Sequence, residues 1–119
     1  MIRFYSVNLF GGEDTRIASS FYKRLFGWKS VVESEGHSEL FTGEGMRIVF
    51  SRIKPGCNVD PGTITLEVDG DSEQFLSEFR KEEYETEKST PFNTEQRYVA
   101  YLDPWGNRIW IYRKSNPKN

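Results

Sequence analysis

The chain has 119 residues, a formal net charge of −2 and a single cysteine, Cys57. This length suits one compact domain whose core needs no metal or disulfide, and one cysteine cannot form an internal bridge. The small net charge, without a block of like charges, argues against a nucleic-acid partner. Aromatic residues make up 15% of the chain. That is more than a small core usually requires, so some of them are expected to line a ligand surface.

The first half of the chain predicts the element order β-α-β-β-β. The segment "RFYSVNLF" is typical of a strand, and "TRIASSFYKRLFGW" predicts a helix that begins at Asp14 or Thr15 and ends at Gly27. Three further strands are predicted at "WKSVVES", "SELFT" and "MRIVFSR". On the helix, the residues expected to face the core are Ile17, Ala18, Phe21 and Leu25, and those expected in water are Arg16, Lys23 and Arg24.

The second half predicts the same order after the linker "KPGCNVDPG". A strand at "GTITLEVDG" is followed by a predicted helix at "DSEQFLSEFRKEE", whose apolar face carries Phe75, Leu76 and Phe79. The segments "YETEKST", "RYVAYLD" and "NRIWIYR" predict three more strands.

Direct comparison of the halves supports an internal repeat. "SVNLF" aligns with "TITLE" at an offset of 57, from position 6 to 63, and "GMRIVFSR" aligns with "GNRIWIYR" at an offset of 61, from 45 to 106. We therefore expect one domain built from module 1 (about 1–53), a linker (about 54–62), module 2 (about 63–114) and a short tail (115–119).

Two segments carry a family resemblance. "ASSFYKRLFGW" resembles the helix signature of the vicinal oxygen chelate superfamily of glyoxalase, bleomycin-resistance and extradiol dioxygenase proteins, and "DPWGNRIWIY" resembles its closing turn and strand. The resemblance covers nearly the whole chain. It implies an α+β fold in which two tandem βαβββ modules form a curved mixed-sheet cup. Because that superfamily contains lyases, oxygenases, transferases and non-catalytic drug binders, fold alone does not decide the function.

Strand alternation divides the side chains between two faces. The apolar set predicted to face the helices is Val7, Leu9, Ile48, Phe50, Ile64, Leu66, Ile109 and Ile111. The opposite faces carry a polar and aromatic set typical of a pocket lining: Ser6, Asn8, Phe10, Arg47, Val49, Ser51, Thr63, Thr65, Glu67, Arg108, Trp110 and Tyr112. All of these except Phe10 and Ser51 are predicted ligand-binding residues.

The resemblance also implies where a metal would bind. Enzymes of the superfamily hold a divalent cation with residues from the first and last strands of each module, which correspond here to Ser6, Val49, Thr63 and Trp110. None of these is a His, Glu, Asp, Gln or Cys, the donors that such a metal needs. We therefore expect no metal, no cofactor and no catalytic residue. Trp110 would then either stack on a ligand or plug the cavity.

The charged candidates have alternative interpretations. Arg47 and Arg108 occupy equivalent positions in the repeat and would either clamp a carboxylate or phosphate or extend to solvent at the rim. Glu67 would be an acid or base, a partner of Arg108, or a solvated side chain at the rim.

Single residues with reactive side chains have plain structural interpretations. His37 is expected to be a solvated loop histidine, Cys57 an ordinary thiol, and Asp103 and Gly106 parts of a turn. The sequence contains no nucleotide-binding loop and no Ser-His-Asp arrangement.

These observations predict a metal-independent protein that binds an aromatic or partly anionic small molecule, with no nucleic-acid or membrane partner. The N-terminal segment lacks an apolar export signal, so a cytoplasmic location is expected, and homodimers are common among the proteins that the chain resembles. Two alternatives stay open. One is a metal-dependent lyase or dioxygenase with displaced ligands from Glu39, Glu67, Asp69 or His37, and the other is a non-catalytic dimerising module.

Overall fold

The computed structural model describes residues 1–53, 59–68, 77–81 and 97–113. Within these ranges the chain forms one α-helix and eight strands. Their bounds are β1 Ser6–Phe10, α1 Thr15–Phe26, β2 Lys29–Glu33, β3 His37–Phe41, β4 Arg47–Ser51, β5 Thr63–Val68, β6 Arg80–Lys81, β7 Arg97–Leu102 and β8 Arg108–Arg113. The predicted α+β class is confirmed.

Both ends of helix α1 lie where the sequence predicts them. The Asp14 carboxylate accepts a hydrogen bond from the backbone N–H of Arg16, and Gly27 ends the helix with a φ of 72°. Side chains other than glycine rarely adopt that left-handed conformation, which explains the stop. The pKa of Asp14 lies below its ordinary value because the Arg16 side chain donates to its carboxylate.

The buried face of α1 differs in part from the predicted one: Ala18 and Leu25 are buried as expected, and Phe21 is half-buried. Ile17 was expected in the core but is 62% exposed, whereas the fully buried aromatic residue is Tyr22. The Thr15 hydroxyl explains this rotation, since it donates to the backbone oxygen of Ser34 and lies 2.8 Å from the Ser38 hydroxyl. The buried residues that follow from this rotation are Thr15, Ala18, Ser19, Tyr22 and Leu25.

The first sheet has the strand order β1-β4-β3-β2. β1 runs parallel to β4, and the other pairs are antiparallel. The helix packs on one face of this sheet, where the Tyr22 and Phe50 rings lie 4.9 Å apart between centroids. Of the apolar residues predicted for this face, Leu9, Ile48 and Phe50 are buried and Val7 is half-buried.

The second sheet repeats this pairing with the order β5-β8-β7-β6. Ser6 pairs with Arg47 in the first sheet, and Thr63 pairs with Arg108 in the second. These are the positions that the alignment of the two halves makes equivalent. The two repeated modules are therefore confirmed in their strand register.

The predicted end of the second helix is wrong. Residues 77–78 form a single tight turn, and Arg80–Lys81 is a short strand that pairs with β7. Phe79 is buried beside the Tyr101 ring, at 6.5 Å between centroids, so the chain meets the sheet where the sequence predicted a continuing helix. The rest of that helix, including Phe75 and Leu76, lies outside the described residues, as do the predicted strand at 84–90 and residues 54–58 with Cys57.

The chain divides into two compact units. One consists of Met1–Gly62 with Trp105–Asn107, and the other of Thr63–Pro104 with Arg108–Asn119. No helix among the described residues is long and apolar enough to cross a membrane.

Candidate functional site

The first sheet has a face opposite α1, here called the distal face. Phe50 and Ser38 both contact the helix, so their strand neighbours point the other way. The register then places Ser6, Asn8, Arg47 and Val49 on the distal face, as predicted, together with His37 and Glu39 from β3. Val49 is only 2% exposed.

Glu39 organises the charges on the distal face. One carboxylate oxygen, Oε1, lies 2.6 Å from a terminal nitrogen of Arg47, and the other, Oε2, lies 2.7 Å from Nε2 of His37. Because an ionised carboxylate only accepts hydrogen bonds, both nitrogens act as donors. The bond from His37 and then that from Arg47 lower the pKa of Glu39 below its ordinary value. The same contact with Glu39 raises the pKa of Arg47.

Tyr5 extends this cluster from the segment before β1. The Arg47 guanidinium carbon lies 5.2 Å from the centroid of the Tyr5 ring, within the range of a cation–π contact. The Tyr5 hydroxyl also donates a long hydrogen bond of 3.4 Å to Glu39. Arg47 is therefore held between a carboxylate and an aromatic face.

His37 corrects one prediction and refines another. It is exposed, as expected, but it begins strand β3 rather than lying in a loop. Its pairing with Glu39 follows from strand geometry, because residues 37 and 39 are two apart and share a face. On β1, beside Arg47, the Ser6 hydroxyl donates to the Asn8 side-chain oxygen at 2.8 Å.

The second sheet places the other predicted residues on one face, here called the Trp110 face. The register aligns them in neighbouring pairs: Thr63 with Arg108, Thr65 with Trp110, and Glu67 with Tyr112. The threonines and Glu67 are exposed, and the three residues on β8 are half-buried. Ala100 lies directly across from Trp110 on β7. It takes the place that Glu39 takes beside Val49 in the first sheet.

Comparison with solved structures identifies the fold. A member of the glyoxalase/bleomycin resistance protein/dioxygenase superfamily from Sphaerobacter thermophilus superposes with a TM-score of 0.70 at 15% identity, over 96% of this chain and 98% of that one. An antibiotic binding protein from Streptomyces sp. gives 0.68 at 18% identity, over 97% and 98%. A lactoylglutathione lyase from Agrobacterium tumefaciens gives 0.66 at 15% identity, over 95% and 94%.

The chain has the vicinal oxygen chelate fold. No protein-family model matches the sequence, and no curated protein matches it. The solved structures that share this fold include both a lyase and a binding protein, so the side chains of the site must supply the argument for function.

The metal that this fold holds in its enzymes does not fit the residues present here. Val49 offers no donor atom, and the carboxylate beside it, Glu39, has both oxygens bonded to Arg47 and His37. A divalent cation bound to Glu39 would also meet the positive charge of the Arg47 guanidinium. Among the described residues, no group of three His, Cys, Asp or Glu side chains lies close enough to hold a metal. Asp69, one of the displaced ligands considered above, lies outside the described residues.

The turn before β8 contains a residue that the sequence analysis missed. Asp103 is buried and Gly106 adopts a φ of 91°, in agreement with the predicted turn. Asn107, however, is fully buried, and its side-chain oxygen accepts hydrogen bonds from the backbone N–H groups of Phe10 and Gly62. Its amide nitrogen donates to the backbone oxygen of Phe10 at 2.8 Å. Asn107 is therefore a structural residue that fixes the end of β1.

Proposed function

We propose that the protein binds a small aromatic or partly anionic molecule without a metal ion. The observation that carries this proposal is the chemistry around position 49, where the fold's enzymes place a metal ligand. Residue 49 is a valine, and the residue paired with it on β3 is Glu39. The Glu39 carboxylate is bonded to Arg47 and His37. Apolar, polar and charged side chains of this kind bind organic molecules through apolar contact, hydrogen bonds and charge.

Trp110 is the proposed stacking residue. It is half-buried on β8, and Ala100 lies directly across from it on β7. An indole offers a large flat surface and one N–H donor, and both suit an aromatic ligand with a polar edge. Tyr112, two residues along the same face, extends the aromatic surface.

The polar part of the lining would fix the orientation of the ligand. On the distal face, Arg47 would balance negative charge, and Ser6 and Asn8 would supply hydrogen bonds. On the Trp110 face, Arg108 would balance negative charge, and Thr63 and Thr65 would supply hydrogen bonds. An antibiotic binding protein from Streptomyces sp. has this fold, so the fold is compatible with a binding role of this kind. We propose a cytoplasmic location for this activity.

A second candidate role, a dimerising module, is favoured by the N-terminal segment. Ile2 and Phe4 are 101% and 71% exposed and lead directly into β1, an outer strand of the first sheet. Exposed apolar residues beside an outer strand favour association with a second copy of the chain. Light scattering of the wild-type protein and an Ile2→Ser/Phe4→Ser variant tests this role. A dimer that becomes monomeric in the variant is expected, and a monomeric wild type would contradict it.

The binding proposal is tested by metal content and by tryptophan fluorescence. Protein purified without chelator is expected to contain metal far below one equivalent and to unfold at the same temperature with and without EDTA. Near-stoichiometric metal, with a lower unfolding temperature in EDTA, would contradict the proposal and favour the enzyme alternative.

Fluorescence titration then addresses the role of Trp110. Aromatic carboxylates and phenols are expected to quench the emission of the wild type, and the quenching should disappear in Trp110→Phe. Trp28→Phe is the matched control, because Trp28 stacks on Phe26 in the first unit at 4.9 Å between centroids and should not respond to ligand. Quenching that survives in Trp110→Phe, or its absence throughout, would favour Trp110 as a cavity plug.

A further inference from the structure

One carboxylate on the distal face bonds two nitrogen-bearing side chains, one through each of its oxygens. Glu39 bonds Arg47 through one oxygen and His37 through the other, at 2.6 Å and 2.7 Å. A single rigid group therefore sets the positions of a guanidinium on β4 and an imidazole on β3. The two donors are held in place before any ligand arrives, which reduces the entropy lost on binding.

Burial differs sharply within the cluster. The side chain of Glu39 is 11% exposed, whereas those of Arg47 and His37 are 31% and 48% exposed. The Glu39 carboxylate is thus mostly buried, whereas the side chains of Arg47 and His37 reach solvent. Arg47 uses one terminal nitrogen on Glu39, and a guanidinium has five N–H donors. A protonated imidazole bonded through Nε2 still has its Nδ1–H to donate.

The charges of the cluster favour an anion. Glu39 and Arg47 cancel, so protonation of His37 leaves one net positive charge at the surface of the cluster. Lys29 pairs with Phe41 on the same face and adds a second cation, and Tyr5 presents its ring to Arg47. These are the charged and titratable groups that the described part of the first unit directs to this face.

We infer that His37 and Arg47, positioned by Glu39, form a binding site for a small carboxylate-bearing molecule. His37 and Arg47 donate to the ligand, and Glu39 is a positioning residue that does not contact it. This inference rests on the metal-independent binding proposed above and adds to it the anionic group and the residues that bind that group. Neither His37 nor Glu39 belongs to the lining predicted from the sequence.

The test uses two probes of the same shape, 4-fluorobenzoate and its neutral amide, followed by fluorine NMR. The carboxylate is expected to bind saturably and the amide about tenfold more weakly or not at all, a difference of about 1.4 kcal/mol. Because His37 is the only histidine, its ring protons give one resolved signal set, which should shift with the carboxylate alone. Binding should weaken as the pH is raised, because a neutral imidazole whose Nε2–H bonds Glu39 has no second N–H to donate to the ligand.

Glu39→Gln separates positioning from simple charge. This variant has one negative charge fewer, so charge alone predicts tighter anion binding, whereas loss of the organising carboxylate predicts binding about tenfold weaker. Glu35→Gln makes the same charge change at an exposed side chain and should bind like the wild type. His37→Gln, at a half-exposed position that should tolerate it, is expected to weaken binding about tenfold and to remove its pH dependence.

Three results would overturn the inference: equal binding of acid and amide, unchanged or tighter binding in Glu39→Gln, or unchanged pH dependence in His37→Gln. If Glu39→Gln does not fold, the His37→Gln result decides. Elemental analysis of the same samples keeps the two proposals apart. If the protein contains bound metal, the metal-independent function is contradicted whether or not the probe binds. If the protein is metal-free and does not bind 4-fluorobenzoate, only the anion site is overturned.

Discussion

The two sheets share one strand register but distribute bulk and charge in opposite ways. In the first sheet, Val49 faces Glu39 across the strand pair, and in the second, Trp110 faces Ala100. At equivalent positions, the small apolar Val49 of the first sheet is thus replaced by the large aromatic Trp110, and the charged Glu39 is replaced by the small Ala100. The repeat therefore fixes the backbone, while substitutions at equivalent positions decide whether a face presents charge or an aromatic surface.

Removal of Tyr22 tests what supports the charged face, and we expect it to have the largest effect. Tyr22 is fully buried, and its ring packs against Phe50 on the helix side of the first sheet. Tyr22→Ala should lower the free energy of unfolding by about 4 kcal/mol, measured by urea denaturation. Ile17→Ala, at a position 62% exposed on the same helix, should cost about 0.5 kcal/mol or less. Similar losses at the two positions would contradict the observed rotation of α1.

Asn107 marks a place where the halves differ in structure. Its equivalent, when "GMRIVFSR" is aligned with "GNRIWIYR", is Met46, whose backbone oxygen, not its side chain, accepts hydrogen bonds from Thr42. Asn107→Ala leaves three partly buried backbone groups of Phe10 and Gly62 without its amide and should cost about 3 kcal/mol. Met46→Ala should cost about 1 kcal/mol. Equal losses in thermal or urea unfolding would show that the amide contributes no more than ordinary packing.

Much of the fold is readable from the sequence because its signals are local. Alternating side chains predict the strands, and Asp14 and Gly27 predict the ends of α1. The alignment of the two halves predicts equivalent registers for the parallel strand pairs, which both sheets show. The exposed position of Ile17 was not predictable in this way, because the rotation of α1 depends on the contact between Thr15 and Ser38, 23 residues apart.

The candidate site was predicted less completely. Residues from the first and last strands of each module were placed on common faces, but the Glu39 cluster was missed because both faces of β3 carry apolar residues. The spacing of His37 and Glu39, two apart in a strand, is the signal that would have indicated a shared face. Asn107 gave no such signal, since its partner Phe10 lies 97 residues away.

The pH dependence of stability distinguishes the charged face from the aromatic one. The pKa of Glu39 is lowered in the folded chain, so its contribution is complete above the pKa of an unfolded glutamate and is lost as the pH falls through the lower folded value. Glu39→Gln should cost about 1.5 kcal/mol at neutral pH, because two charge-assisted hydrogen bonds to partly exposed partners are weakened. The difference from wild type should hold down to about pH 5 and shrink below about pH 4.3.

A set of urea titrations at several pH values measures this difference. Glu35→Gln serves as the control, because it removes the same charge from a side chain that is 64% exposed and 3.3 Å from Arg52. It should change stability little at any pH. A Glu39→Gln difference that stays constant down to about pH 3 would show that ionisation of Glu39 does not contribute to stability.

Two equivalent glycines test the part of the comparison in which the halves agree. Gly45 and Gly106 occupy the same position in the two modules. They lie in the turns before β4 and β8 and have φ values of 77° and 91°. A Cβ at Gly45 meets nothing within 4 Å, and one at Gly106 meets only ordinary contact with Pro61 at 3.6 Å. The cost of alanine is therefore conformational, and Gly45→Ala and Gly106→Ala should each lose about 1 kcal/mol.

Gly36→Ala is the control for these two variants, because Gly36 does not have a positive φ and a Cβ there meets only the flexible end of Arg52. It should be neutral or slightly stabilising, since alanine reduces the freedom of the unfolded chain. Equal losses at positions 45 and 106 would show that the repeat imposes the same backbone strain on both turns. A much larger loss at Gly106 would instead assign additional stability to that turn, where Asn107 follows immediately and bonds to the backbone at the end of β1.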